Sequence, residues 1–209
     1  MDRSCSPIKI AVKTSEGCKL IVADKVVSAI PPTLENLGGY DLSRDEKHLF
    51  SKWKSNGYYT GLMNNTGLPA GLSLRSTQPS QPYSLPKLPS IYTLGRTTPT
   101  ELTSVYYGSP TVLSVEEVKA DIETALARLQ KEKGFPETKP DWVVMSSHAP
   151  FNLEVSTEEI KRGFYERLWE LNGERNTFYN GAAFMAQDST VIWQYTENVL
   201  LPMILESLE

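Results

Sequence analysis

Residues 175–197 read RNTFYNGAAFMAQDSTVIWQYTE, and this run limits the folds open to the chain. Residues 176–179 have the composition of a short strand. Gly181, Ala182 and Ala183 follow as a turn of small residues, and a helix is expected to start near Asp188 or Ser189, both good N-caps. A strand that passes through a small turn into a helix is an α/β connection. Two readings are open. Small residues let another molecule approach the backbone closely, and a helix start offers unpaired N–H groups and a partial positive charge to an electron-rich group. The same pattern is also an ordinary strand-to-helix link, and spacing alone favours that simpler reading.

The rest of the chain divides by pattern. Residues 9–14 alternate Ile10 and Val12 with lysines, a half-buried strand, and residues 19–23 return as its hairpin partner. Residues 25–30 form a more continuous apolar run that suits a strand covered on both faces and stopped by Pro31 and Pro32. Residues 33–37 suit one short helical turn. A helix is expected over 41–54, with Ser43 as N-cap and Glu46 three residues on. Residues 57–63, 91–94 and 102–107 read as strands of an antiparallel sheet, with proline-rich 78–90 as extended linker. The clearest helix is Val115–Lys133, with Ser114 and Glu117 as a capping box and Gly134 and Pro136 at its end; Val115, Val118, Ile122, Ala125 and Leu129 make its apolar face. A strand over 141–147, a helix from Ser156 or Thr157 to Leu171, and a last helix over 189–208 broken near Pro202 complete the pattern.

A chain of 209 residues, 40% hydrophobic and 22% charged, is globular and long enough for a sizeable core. Net charge is −4 without a basic tract, which argues against nucleic acid as a partner. Cys5 and Cys18 make neither a disulfide framework nor a zinc spacing, so free structural thiols are expected, and no His or Cys cluster suggests a metal. No apolar run is long enough to span a membrane, and the first six residues lack a signal-peptide core; a cytoplasmic setting is expected.

His148 and His48 are the two histidines. His48 stands beside Lys47 on a solvated helix face. His148 ends a strand before Pro150; a hydrogen-bonded structural role is the simpler reading, and a polar group facing a ligand is the other. Neither has a Cys or Ser partner at an interpretable spacing, so nucleophilic catalysis has no support. Tyr58 and Tyr59, and likewise Tyr106 and Tyr107, point to opposite faces by alternation. One of each pair can line a pocket while the other packs in the core.

Three stretches carry a family resemblance. Residues 19–34, KLIVADKVVSAIPPTL, resemble the segment by which flavin-containing amine oxidases leave their FAD domain through a strand ending in Ile-Pro-Pro. Residues 162–173, RGFYERLWELNG, running into 175–197, resemble the return to that domain. Residues 61–69 (GLMNNTGLP) and 148–151 (HAPF) add to the pattern, which is that of the fungal amine-oxidase-like flavoproteins related to β-cyclopiazonate dehydrogenase. The resemblance covers nearly the whole chain.

What the resemblance implies is an FAD-dependent oxidoreductase of fungal secondary metabolism, mycotoxin pathways included. The fold class expected is α/β (α+β): the second part of an FAD-binding domain, in 1–37 and 156–209, and an antiparallel-sheet substrate domain with helices in 38–155. Gly181, Ala182, Val191, Ile192 and Trp193 are expected at the FAD, and Tyr59, Tyr106 and His148 at the substrate. The family's strand–Gly-x-Gly-x-x-Gly–helix unit, which holds the pyrophosphate, does not occur here. The chain therefore resembles the C-terminal half of such an enzyme, and a second chain supplying the other half is a possible partner. Where amine oxidases often place threonine or glutamate after the glycine, this chain has Gly181-Ala182-Ala183. That departs from ordinary amine oxidation and leaves dehydrogenation or oxidative cyclisation of a larger metabolite open. The alternative is a truncated, non-redox relative that binds a metabolite or acts as a flavin-independent cyclase or isomerase.

Overall fold

The computed structural model describes residues 1–96 and 101–209. In chain order the elements are β1 (Ile8–Thr14), β2 (Gly17–Ala23), β3 (Val26–Ser28), α1 (Arg44–Phe50), β4 (Lys54–Ser55), β5 (Gly57–Asn64), β6 (Ser73–Arg75), β7 (Ser90–Arg96), β8 (Thr103–Ser109), α2 (Val115–Lys133), β9 (Asp141–Ser147), β10 (Leu153–Glu154), α3 (Thr157–Lys161), α4 (Phe164–Glu170), β11 (Thr177–Tyr179), α5 (Ser189–Tyr195) and α6 (Leu201–Glu206). They divide into two compact units, Met1–Lys54 with Leu153–Glu209, and Ser55–Asn152. These boundaries differ from those expected at 37/38 and 155/156. Residues 38–54 go with the first unit because α1 buries Leu49 and Phe50 with Phe164, Leu168 and Tyr179.

In the first unit β1 and β2 form an antiparallel hairpin in register from Ile8↔Ala23 to Thr14↔Gly17. β3 pairs in parallel with β11, residues some 150 positions apart in sequence, through Val26↔Thr177, Val27↔Phe178 and Ser28↔Tyr179. The core gathers Leu37, Leu49, Phe50, Phe164, Leu168, Leu171, Tyr179 and Phe184, with the Tyr179 and Phe184 rings stacked at 5.0 Å. α1 carries the expected capping box between Ser43 and Glu46.

Glu46 has a second task. Arg3, whose side chain is fully buried, donates from Nη1 and Nη2 to the two Glu46 oxygens at 2.7 and 2.8 Å and from Nε to Asp41 at 3.0 Å. The Tyr179 hydroxyl donates to Glu46, and Arg175 donates to Asp41. Burial alone would raise the Glu46 carboxyl, but Arg3, Tyr179 and the Ser43 N–H outweigh it and hold its pKa below the usual range. The same balance, with Arg3 and Arg175, lowers Asp41. A buried arginine with two carboxylates thus joins the N-terminal segment, α1 and β11.

Three expectations change here. The strand over 25–30 is only Val26–Ser28 and is not covered on both faces: Val27 and Ile30 are 48% and 43% exposed. The helix expected from Ser156 or Thr157 to Leu171 is two, because Gly163 stands at φ 73° between α3 and α4; Ile160 in α3 is exposed, while Phe164 and Leu168 in α4 are buried. The last helix runs through Pro202 by widening to a π-type turn over Thr196–Leu200, a register that accommodates a residue without an N–H.

The second unit is an antiparallel sheet of order β6-β7-β8-β5-β9 with α2 against one face. Tyr59, Met63, Leu68, Leu94, Val105 and Tyr107 meet Val118, Ile122 and Leu126 in its core. α2 has the bounds and the capping box read from sequence, and Gly134 closes it in the left-handed region. Its buried line is Val118, Ile122, Leu126 and Gln130, not Ala125 and Leu129, which are only half-buried. The Gln130 amide donates to the Thr66 and Thr138 carbonyls, so a polar residue fills a core position that an apolar pattern does not reveal. The linker over 78–90 is irregular apart from one short 3-10 turn at Pro82–Ser84.

Candidate functional site

Two sets of residues are involved, one in each unit. In the first, β3 and β11 run side by side and end together, with Gly181 beside Ala29. Gly181 has φ 100°, a conformation open to glycine; a Cβ there would be 3.5 Å from the Ala29 carbonyl, ordinary contact. Backbone conformation, not lack of room, therefore requires the glycine. Asn180 fixes the turn. Its Oδ1 accepts the Gly181 N–H at 2.7 Å, and its Nδ2 donates to the Thr196 hydroxyl at 2.9 Å, which in turn donates to the Ile192 carbonyl at 2.7 Å. The turn is thereby tied to the end of α5, and the expected cofactor residues Gly181, Ala182, Val191, Ile192 and Trp193 fall on these two elements. Ala182 is exposed, Val191 and Ile192 are half-buried, and Trp193 is 66% exposed.

The helix start does not offer a phosphate site. The Asp188 carboxylate already accepts the N–H groups of Thr190 and Val191, at 2.8 and 3.2 Å, and sets a negative charge there. Gly181 and Ala182 carry little or no side chain, and Trp193 on α5 is exposed. They do not supply the pyrophosphate cradle of FAD.

In the second unit the sheet face away from α2 carries an aromatic cluster centred on Tyr58. The Tyr58 ring lies 4.8 Å from Phe151 at 24° and 6.4 Å from Tyr106 at 27°, with Tyr92 at 6.3 Å and His148 at 6.1 Å. The His148 ring Nε2 is 3.2 Å from the Thr60 hydroxyl. Burial, with Tyr106 and Tyr92 adding to it, raises the Tyr58 pKa, so this phenol stays neutral. Tyr92 lies over Gly108, where a Cβ would come within 2.4 Å of its ring.

Tyr106 and His148 thus come together, and Tyr59 does not join them. Tyr59 is fully buried on the α2 side, where its hydroxyl donates to the Leu113 carbonyl at 2.8 Å and accepts the Leu113 N–H at 2.7 Å. The register explains the exchange. Thr60 is paired with both Tyr106 and Ser146, so even-numbered residues of β5 share their face and Tyr58 takes the place expected for Tyr59. The signal in the sequence is parity with Gly61 and Met63. A Cβ at Gly61 would collide with Trp142 and Met145, which marks odd positions as the packed face. Phe151, Tyr92 and Thr60 were also missed. Among the described residues, no group of three or more His, Cys, Asp or Glu could hold a metal, and no helix is long and apolar enough to cross a membrane.

The fold is similar to part of each of two solved structures. It is similar to the CLA-producing fatty acid isomerase of P. acnes (TM-score 0.69, 20% identity, 93% of this chain and 44% of that one). It is also similar to a putative protoporphyrinogen oxidase of Exiguobacterium (TM-score 0.59, 15% identity, 95% of this chain and 44% of that one). No family model matches the sequence. Curated relatives do. The FAD-dependent oxidoreductase oblC of Cochliobolus heterostrophus is 41% identical over 208 residues, 96% of this chain and 43% of the relative. β-Cyclopiazonate dehydrogenase of Aspergillus flavus is 34% identical over 201 residues, and the FAD-dependent oxidoreductase pigF of Monascus ruber 33% over 205; each match takes in 44% of the relative. The chain is similar to these fungal FAD-dependent oxidoreductases over nearly all of its own length and spans less than half of theirs.

Proposed function

We propose that this chain forms the substrate-binding part and one wall of the cofactor site of an FAD-dependent oxidoreductase of fungal secondary metabolism. The observation that carries the reading is 41% identity, across 96% of the chain, to an enzyme named for FAD. The Gly181 turn, held against Ala29 at the end of two parallel strands, supports it. Bound FAD accepts hydride, so the protein need supply only position, dryness and hydrogen bonds. In this reading Gly181 and Ala182 admit the cofactor ring, Trp193 shields it, and the face bearing Tyr58, Tyr106 and His148 receives a metabolite for dehydrogenation or oxidative cyclisation. The names of the relatives favour this over a non-redox, flavin-independent cyclase or isomerase.

The pyrophosphate is held by polypeptide outside these 209 residues, carrying a strand, a glycine-rich turn and a helix. Apolar side chains left exposed on the first unit, Leu20, Ile21, Val22, Val27 and Ile30 among them, support a polypeptide partner there. Cys5 and Cys18, both free thiols, suit a cytoplasmic setting. The test is co-expression with the dinucleotide-binding half of a relative, followed by gel filtration and a flavin spectrum. Co-elution of protein and flavin absorbance is expected. A folded complex of the two halves without flavin would contradict the reading.

A further inference from the structure

We propose that the outward face of the five-stranded sheet binds a flat, uncharged, conjugated small molecule bearing a ketone or hydroxyl oxygen, stacked on Tyr106 and held by the Thr60–His148 pair. That this face meets substrate rests on the functional reading above. The chemistry of the ligand is read from the face itself.

Three features of the face agree. The first is the layout of rings. Phe151, Tyr58 and Tyr106 lie within 24° and 27° of parallel, and Tyr106, Phe151 and Tyr92 remain 40%, 43% and 37% exposed. At 4.8 Å Phe151 stacks on Tyr58 itself, so the exposed ring of Tyr106 is the one on which a flat π-system gains offset-stacking contacts that a puckered saturated one does not. Beside Tyr106 the sheet sinks into a hollow of about 370 Å³ with Thr60, Leu62, Ser104, Val144 and Ser146 around it. Small side chains at the floor and a ring at the rim suit a molecule of two or three fused rings.

The second is charge. On β5, β8 and β9 this face presents Tyr58, Thr60 and Leu62, then Ser104, Tyr106 and Gly108, then Val144, Ser146 and His148. None of these residues is an Asp, Glu, Lys or Arg. Asp141 stands at the far end of β9 beside Asn64, and Arg75 on the edge strand β6. An ionised ligand seated over Tyr106 would lose water without gaining a counter-ion.

The third is the polar pair. If the Thr60 hydroxyl donates to His148 Nε2, the ring keeps an N–H at Nδ1. If Nε2 donates to the hydroxyl oxygen, the Thr60 O–H is free to donate. Either proton arrangement leaves one donor and one acceptor beside the rings. That is the complement of a neutral ketone or hydroxyl oxygen at the edge of a conjugated system.

The experiment is equilibrium dialysis of the full chain, without flavin, against 2-naphthol, 2-naphthoate and trans-2-decalol. These probes compare a flat neutral molecule with a charged one and a saturated one. Saturable binding of 2-naphthol is expected, at least about fivefold tighter than of the other two, the scale of one aromatic contact. Tyr106→Leu, which keeps apolar bulk without the ring, should weaken it by a similar factor. His148→Ala, dialysed also against naphthalene as a probe without an oxygen, should weaken 2-naphthol and leave naphthalene unchanged. Equal affinity for the three probes, no saturable binding, or full affinity in Tyr106→Leu would overturn the proposal. So would loss of 2-naphthol binding when the dinucleotide-binding half is added, since that assigns the face to polypeptide. The probe comparison needs no variant to fold, and no flavin is present. Failure here therefore leaves the FAD reading standing, and a reconstituted protein without flavin leaves this result standing.

Discussion

The Asn180 side chain reaches the Thr196 hydroxyl at 2.9 Å while its other end accepts the Gly181 N–H at 2.7 Å. One amide thus holds the turn after β11 to the end of α5. Asn180→Ala removes both bonds and leaves part-buried groups to find other partners. A loss of about 1–3 kcal/mol in urea unfolding is expected. A change below the error of the measurement would mean that the turn is held by its own backbone.

Stability should fall at both ends of the pH range, for opposite reasons. Glu46 and Asp41 have lowered pKa values in the folded chain, so their contribution is complete above the ordinary carboxylate range, about pH 4, and is lost as pH falls through the folded values. Tyr179 is shifted the other way, by burial first and Glu46 second. Its contribution is complete below the ordinary phenol range, about pH 10, and is lost as pH rises beyond it. Urea midpoints across pH check both limbs. Glu46→Ala leaves the Arg3 guanidinium buried with Asp41 alone and should cost about 3–5 kcal/mol at neutral pH.

Two tyrosines on neighbouring strands should respond differently to loss of a hydroxyl. Tyr59→Phe strips the Leu113 backbone of two hydrogen bonds in the core of the second unit, and about 1–3 kcal/mol of destabilisation is expected. Tyr106→Phe, on the open face, should leave thermal unfolding unchanged and, in a reconstituted enzyme, leave flavin content unchanged while altering turnover. Equal destabilisation by the two would contradict the register of β5 and β8.

Gly67 has the least room among the described glycines. Its Cβ would sit 2.2 Å from the Pro136 carbonyl oxygen, and its φ is 64°. Gly67→Ala should therefore shift the loops around Thr66 and Pro136 and lower the melting temperature of the protein. Gly71, also at positive φ but with open space around it, is the control: Gly71→Ala carries only the backbone penalty, on the order of 1–2 kcal/mol.

What the sequence revealed and what it hid divide along physical lines. Local signals carried well. Ser43 with Glu46, and Ser114 with Glu117, mark their helix starts because a capping box is made within four residues. Signals that depend on distant partners did not. The face on which Tyr58 and Tyr59 fall is set by pairing with Tyr106 and Ser146, 46 and 86 positions from Thr60, so alternation alone leaves it open. Gln130 is buried by carbonyls of Thr66 and Thr138, and Ile160 is exposed by a break at Gly163; neither follows from an apolar period. The site behaved similarly. Gly181 stands where the strand–turn–helix run places it, but the positive end of α5 is taken up by Asp188, a cap that the sequence also shows.

The most direct measurement is the ratio of FAD to protein after gel filtration of the chain reconstituted with a relative's dinucleotide-binding half, with and without Gly181→Val. The unsubstituted protein should keep flavin near stoichiometry. The variant should assemble, keep the unfolding transition of the second unit and lose the flavin, because a branched side chain distorts the φ 100° turn at which we propose the cofactor ring approaches. Full flavin content in the assembled Gly181→Val protein would contradict the placement of the cofactor at this turn and leave it an ordinary strand-to-helix connection.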